Sequence, residues 1–430
     1  MKFRRRKGEV KVAKEAEAPL HSNTGFKKKP RKSMLLVRAV SSLRNRTSTI
    51  AKQVTAVTRS SIAALDPRTR ETIKQIKGVP DTLDDAEIVL KQMKNNSSIA
   101  LIQAAGCEKL SNVAVREAVG LVHLGVVDVV LKAMKQYSKN PSVQEFACQL
   151  IWNLAIVDEH KKLLADGDAP KLICVALENH KGKASVMHKA IGAVKLLSLV
   201  EAGKEQLVEE GVVEKIIEVM KEYCNEESDY TDFQETCLLC VQNFAFGKTL
   251  VPKLYELGVS TLIADVMTKY EESDEIQSSG AAALWNLALG VTDEQLIEMT
   301  DVGITNILIY ALKAFAEHQQ VVLHSMGALK NLSRVPDSLQ LIKEKALMSD
   351  KGIGNIYDIL MEAFYAHQED ANIVRIGEEL LSEFDDEDDE DDNEERTLKT
   401  ETIELTAEQI NDPFADLEAT AGGDDDDDYL

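Results

Sequence analysis

Apolar residues recur three and four positions apart through most of this chain. In HLGVVDVVLKAM, Val126, Val129, Val130 and Met134 fall on one side of a 3.6-residue helix. A polar connection follows, KQYSKNPS, whose Pro141 suits the first turn of a further helix. That helix, SVQEFACQLIWNLA from Ser142 to Ala155, is rich in small residues, and much of it returns as SSGAAALWNLA from Ser278 to Ala288. The pattern predicts an all-α chain in which one kind of helix is written more than once.

Two independent markers give the repeat length. Glycines followed by an apolar helical run stand at Gly125, Gly167, Gly211, Gly258, Gly303 and Gly352, spaced 42, 44, 47, 45 and 49 residues apart. The end of the small-residue helix gives a second series. Asn153 aligns with Leu196, Asn243, Asn286, Asn331 and Leu380 at steps of 43, 47, 43, 45 and 49, and Lys109 stands 44 residues before Asn153. A period in the low-to-middle forties kept in phase by both markers belongs to helical solenoids of the HEAT and armadillo type. One such unit cannot bury its apolar face alone, so the units must stack and share a core. Trp152-Asn153 and Trp285-Asn286 are therefore corresponding positions in two repeats, not two active sites.

Charge divides the chain further. Residues 1–60 hold 17 Lys/Arg and 3 Asp/Glu, a net +14, and residues 383–430 hold 2 Lys/Arg and 22 Asp/Glu, a net −20. The remaining 322 residues carry −16. Runs such as SEFDDEDDEDDNEE and GGDDDDDYL cannot enter a core, because unpaired carboxylates are too costly to desolvate. The expected organisation is a basic arm over 1–60, a helical array over 61–382 and a disordered acidic tail over 383–430. Within the arm, Leu36, Val40, Leu43, Ile50, Val54 and Val57 form a heptad-like stripe flanked by Arg38, Arg44, Arg46 and Lys52. Such a helix caps the first repeat or contacts a partner, or it makes peripheral membrane contact through residues 34–57. RRRK (4–7) and KKKPRK (27–32) resemble basic nuclear-import signals, and INDPFADLE (410–418) resembles short endocytic-adaptor motifs. The charged start MKFRRRKGEV is not expected to be a secretory signal, and no run of eighteen apolar residues suggests a membrane span. Six scattered cysteines read as reduced thiols, with Cys237 and Cys240 as core residues rather than metal ligands. A cytoplasmic location follows as the expectation, with nuclear entry as a further one.

Glycine, second helix, loop, then a third helix ending in "LxNLA" resembles the armadillo unit of β-catenin-like and importin-α-like proteins. The resemblance covers roughly residues 80–382, about seven units with degenerate ends. It implies a right-handed superhelical solenoid whose third helices line a concave groove and whose recurrent Asn side chains grip an extended peptide. Carried over by position, the Asn series is Asn153, Asn243, Asn286 and Asn331, with Lys109, Leu196 and Leu380 departing from it. Importin-α-like proteins carry a Trp four residues before that Asn. Gln149, Leu239, Ala282 and Gly327 stand there in this chain, while Trp152 and Trp285 are rotated about 100° around the helix.

The candidate groove residues are Lys109, Gln149, Trp152, Asn153, Lys195, Gln242, Asn243, Trp285, Asn286, Lys330 and Asn331. For each Asn the alternative is an amide satisfying the turn between repeats, and for each Trp it is packing between repeats. No phosphate loop, dinucleotide fingerprint, His-x-x-x-His pair or nucleophile elbow occurs, so neither an enzyme nor a cofactor or metal is expected. The leading expectation is a scaffold for protein partners, with nucleic acid not indicated. The alternatives are an importin-α-like adaptor whose basic arm masks its own groove and meets transport receptors, and a membrane-docked or endocytic adaptor.

Overall fold

The structure, a computed structural model, describes residues 66–225, 230–347 and 355–384. Among them are twenty α-helices and no strand. Contacts divide the chain into Met1–Arg70, of which Asp66–Arg70 alone is described, and Glu71–Leu430, which holds the other described residues. The basic arm with its 34–57 stripe, both basic runs, Gly352, the acidic tail from residue 385 and INDPFADLE lie outside the described residues.

Helix α1 runs Pro67–Gly78, and Asp66 accepts the Thr69 N–H at 3.0 Å to close its first turn. From there the helices come in groups. The first is α2 (Leu83–Asn95) and α3 (Ala100–His123). A break at Glu117 (φ −125°, ψ 31°) lets the end of α3 serve as the opening helix of the next group, which continues with α4 (Val126–Gln136) and α5 (Pro141–Leu154). Then follow α6 (Asp158–Ala165), α7 (Ala169–Asn179) and α8 (Ala184–Leu197). The next three are α9 (Glu201–Glu209), α10 (Val212–Cys224) and α11 (Thr231–Ala245). After them come α12 (Val251–Glu256), α13 (Val259–Lys269) and α14 (Asp274–Gly290). The last two groups are α15 (Asp293–Asp301), α16 (Ile304–Ala314) and α17 (Gln319–Leu332), then α18 (Pro336–Leu347), α19 (Ile356–Ala366) and α20 (Ala371–Phe384).

Like packs on like. The third helices α3, α5, α8, α11, α14, α17 and α20 each lie against the next, and the second helices from α2 to α19 form a row of their own. First helices pair as α6 with α9 and α15 with α18. Short α12 instead packs mainly on α11, α13 and α14, and reaches α15 through the Tyr255 hydroxyl, which donates to Glu298. Leu150, Ile151 and Leu154 of α5, Met187, Ile191 and Val194 of α8, and Leu284 and Leu287 of α14 are all enclosed by this stacking. Each such side chain contributes about 1.5–3 kcal/mol on burial, and the gain is shared across neighbours because no group encloses its own apolar face.

The turns explain the glycine marker. Gly125, Gly211, Gly258 and Gly303 precede α4, α10, α13 and α16 with φ of 78°, 74°, 71° and 94°. Left-handed backbone costs a residue with a Cβ about 1–2 kcal/mol, so the sequence keeps glycine there. Gly167 departs from the series. Asp168 and Pro170 lead into α7, and the glycine stays outside the left-handed region. Pro141 takes the first turn of α5 as expected, with the Asn140 side chain accepting the Val143 N–H at 3.1 Å.

A second recurrent residue ties the layers together. Near the start of four third helices a buried glutamine donates back to the end of the preceding second helix. Gln103 bonds the Met93 and Asn96 carbonyls at 2.9 and 3.1 Å, Gln144 those of Met134 and Tyr137 at 3.0 Å each. Gln277 bonds the Met267 and Tyr270 carbonyls at 2.8 and 3.2 Å, and Gln234 the Met220 carbonyl at 3.0 Å. Helix ends leave carbonyls without intrahelical partners, and these amides supply them. The signal was present in the sequence as Met followed ten residues later by Gln at 93/103, 134/144 and 267/277.

Candidate partner-binding surface on the third helices

Trp152 and Trp285 each lie across the third helix of the next group. A Cβ placed on Gly192 would stand 2.4 Å from the Trp152 ring, and one on Gly327 would stand 2.4 Å from the Trp285 ring. Gly192 and Gly327 occupy the place, four residues before Leu196 and Asn331, where the importin-α pattern has a Trp of its own. The indole thus comes from the neighbouring repeat and the glycine makes room for it. His188 and His324 complete the two contacts at ring separations of 5.9 and 6.3 Å. The pair differ in exposure: Trp285 is 2% exposed, whereas Trp152 is half-buried.

The asparagines reach backwards. Asn153 donates to the Ser111 carbonyl at 2.8 Å and accepts from Gln149 at 2.9 Å. Asn243 donates to the Lys195 carbonyl and to Ser198 Oγ, both at 3.0 Å. Asn286 donates to the Gln242 carbonyl at 3.1 Å and Asn331 to the Trp285 carbonyl at 3.4 Å. Each amide therefore ties its helix to the backbone of the preceding third helix, the role of an Asn satisfying the junction between repeats. Asn243, Asn286 and Asn331 are buried, as are Gln242, Trp285 and Lys330, which places these six in the seams between helices rather than on an open face.

The charged candidates divide in the same way. Lys330 is held by Glu383 and, at 3.6 Å, by Glu379, while Ser333 donates to Glu383 at 2.5 Å, so α20 is latched to α17. Arg334 donates to the Ala288 carbonyl and, at 3.0 Å, to that of Val291, filling the C-terminal end of α14. Lys109 meets Asp81 at 2.5 Å. Lys195 is half-buried on α8.

What remains accessible is a strip over α5, α8 and α11. It comprises Gln149, Trp152 and Asn153, then His188, Lys189 and Lys195, then Glu235 and Leu239, all half-buried. By contrast, Ser279–Ala288 of α14 and Val321–Ser333 at α17 are buried throughout. Lys189 Nζ stands 5.3 Å from the Trp152 ring centroid. Partial burial shapes the charges of the strip. It lowers the pKa of Lys189 against the pull of Glu145, and lowers that of His188 with help from Lys189. It raises that of Glu235, helped by Glu275, Asp232 and Asp274 and opposed by Lys195. An aromatic face, amide groups and both signs of charge, all partly desolvated, suit a polar main chain carrying varied side chains. Cys237 and Cys240 lie fully buried in α11, where burial holds both thiols well above their ordinary pKa, and no metal-binding cluster occurs among the described residues.

A family model described as an LRRK2 ARM repeat matches residues 249–389. The crystal structure of an engineered protein superposes with a TM-score of 0.59 at 18% identity, covering 75% of this chain and 76% of that one. A second engineered protein gives 0.50 at 19% identity over 58% and 99% of the two chains. A structure concerned with a conserved phosphorylation switch in the interaction between cadherin and beta-catenin gives 0.54 at 13% identity. There the match covers 69% of this chain and about half, 51%, of the other. At these identities the likeness is one of fold.

Proposed function

The chain folds as an armadillo-type helical repeat array, and from that premise we propose that it is a non-catalytic scaffold holding an extended segment of a partner protein along α5, α8 and α11. The observation that carries this reading is the half-buried strip, in which Trp152 stays partly exposed beside Lys189 while its counterpart Trp285 is enclosed. Aromatic residues with partly desolvated polar neighbours dominate binding energy at protein interfaces. The comparison involving cadherin and beta-catenin concerns an interaction between two proteins, which fits the same use of the fold.

The test places a photo-crosslinking residue at Gln149 in the full chain and, as a control, at Lys132 on α4. The partner cross-linked from position 149 should be lost or weakened about thirtyfold when Trp152→Ala is combined with Lys195→Glu, since hot-spot truncations cost about 2 kcal/mol. Equal capture from both positions, or capture indifferent to the double substitution, would refute a role for the strip.

A further inference from the structure

Between α9 and α12 the row of first helices stands open, and the gap is a cleft of about 600 Å³. Its floor is apolar, formed by Val208, Phe244, Phe246 and Leu250, of which only Phe244 is fully buried. Two successive residues in left-handed backbone open the turn, Gly247 at φ 86° and Lys248 at φ 66°. Lys248 is the one residue other than glycine with positive φ among the described residues, a conformation costing about 1–2 kcal/mol.

One wall is α9. Glu201, Glu205 and Glu209 stand four residues apart on one helical face, line the cleft and are exposed. Glu209 ends the helix, Glu210 follows as its C-terminal cap, and no basic residue occupies the last turn. That end carries the partial negative charge of the helix, where Lys or Arg stabilises and carboxylates do not. A local preference broken without gain to the fold marks a site that serves something outside it. Lys204, the cation lining this cleft, is drawn onto Phe246: its Nζ lies 3.3 Å from that carbonyl, 5.7 Å from the ring centroid and 3.6 Å from Glu201.

We propose that this cleft docks an amphipathic helical segment of another protein, apolar on one face and lined with Lys or Arg on the adjoining one. The apolar face covers Val208, Phe246 and Leu250, and the basic row meets the three glutamates. Charge complementarity selects the sign of the partner, because an acidic segment would meet three carboxylates and the field of the α9 terminus. The cleft is built from α9, the end of α11 and the turn into α12, and shares no residue with the strip on α5, α8 and α11, so either site can fail without the other.

Two synthetic helical peptides of roughly 18 residues, five turns, serve as probes against the full chain. Both carry leucines on one face and a photoreactive residue among them, with lysine on the flanking positions of one and glutamate on those of the other. The lysine peptide should bind and cross-link to Val208, Phe246 or Leu250, and the glutamate peptide should not. Reversing the exposed charges with E201K, E205K and E209K together should weaken the lysine peptide about tenfold. Leu250→Asp should weaken it independently, and Trp152→Ala should leave it unchanged. Cross-links confined to the acidic residues after 384, or an affinity indifferent to both the charge reversal and Leu250→Asp, would overturn the proposal.

Discussion

Gly192→Ala and Gly327→Ala press the same methyl group against the same kind of ring, but their outcomes should differ. Alanine gains about 1 kcal/mol over glycine in a helix, and overpacking costs about 1–3 kcal/mol. Partly exposed Trp152 can shift away from a new Cβ on Gly192, so that substitution should be close to neutral. Enclosed Trp285 cannot, and Gly327→Ala should lose about 2 kcal/mol in urea unfolding. An equal loss for both would show that exposure does not govern the contact. His324 beside Trp285 makes a second test. Its Nδ1 contacts the Ser278 carbonyl at 3.1 Å, its Nε2 is buried without a partner, and burial lowers its pKa to about 4. The unfolded chain takes up that proton near pH 6.5 and the folded chain only near 4. Stability present above pH 6.5 is therefore lost as pH falls towards 4, by at most about 3 kcal/mol. His324→Gln should flatten the thermal midpoint between pH 7 and 4 relative to the parent, and an unchanged slope would exclude this histidine as the cause.

The glutamine clamps act on whole elements, because each ties the end of a second helix to the start of a third. Gln277→Ala removes the amide from the buried Met267 carbonyl and one of two donors from that of Tyr270, and should cost about 1–3 kcal/mol. Amide exchange in α13 and α14 should accelerate together; acceleration confined to α14 would mean that the clamp does not join them. At this scale most of the helices were legible in the sequence. Apolar spacing fixes which face is buried, and left-handed turns confine Gly125, Gly211, Gly258 and Gly303 to glycine. The orientation of Asn153 and its counterparts was not legible, since an amide on the third helix can face outward or backward with the same local sequence. How closely the preceding helix approaches decides it. The Trp152–Gly192 contact was hidden for a related reason: its partners stand forty residues apart and meet only through the register of stacked helices. The short α12 and its gap were likewise hidden, since a shorter apolar run leaves the period intact.

Across the whole molecule, like charge accumulates towards the C-terminus, with −16 over residues 61–382 and −20 over 383–430. Mutual repulsion favours expanded states and is screened beyond about 8 Å at physiological salt. Deleting residues 385–430 should therefore raise the thermal midpoint at low ionic strength and change it little in high salt. The deletion leaves Glu383 in place, so the latch on Lys330 is kept. A salt-independent change would point to specific contacts instead of the summed field.

Tension applied between the two ends of the array would not be carried evenly. Where first helices pair, as α6 with α9 and α15 with α18, a stretch must shear packed side chains in every layer. Across the gap between α9 and α12 the layer of first helices is thinner, held to α9 through Lys204 and Phe246, and the turn at Gly247 and Lys248 already stands in a costly backbone conformation that straightening can relieve. This joint should behave as a soft spring between two stiffer rods. In an optical trap, extension at low force should come from it reversibly before any helix is lost, and filling the gap with the charged-helix probe should stiffen the response. A chain that yields first at another junction would place the compliance elsewhere.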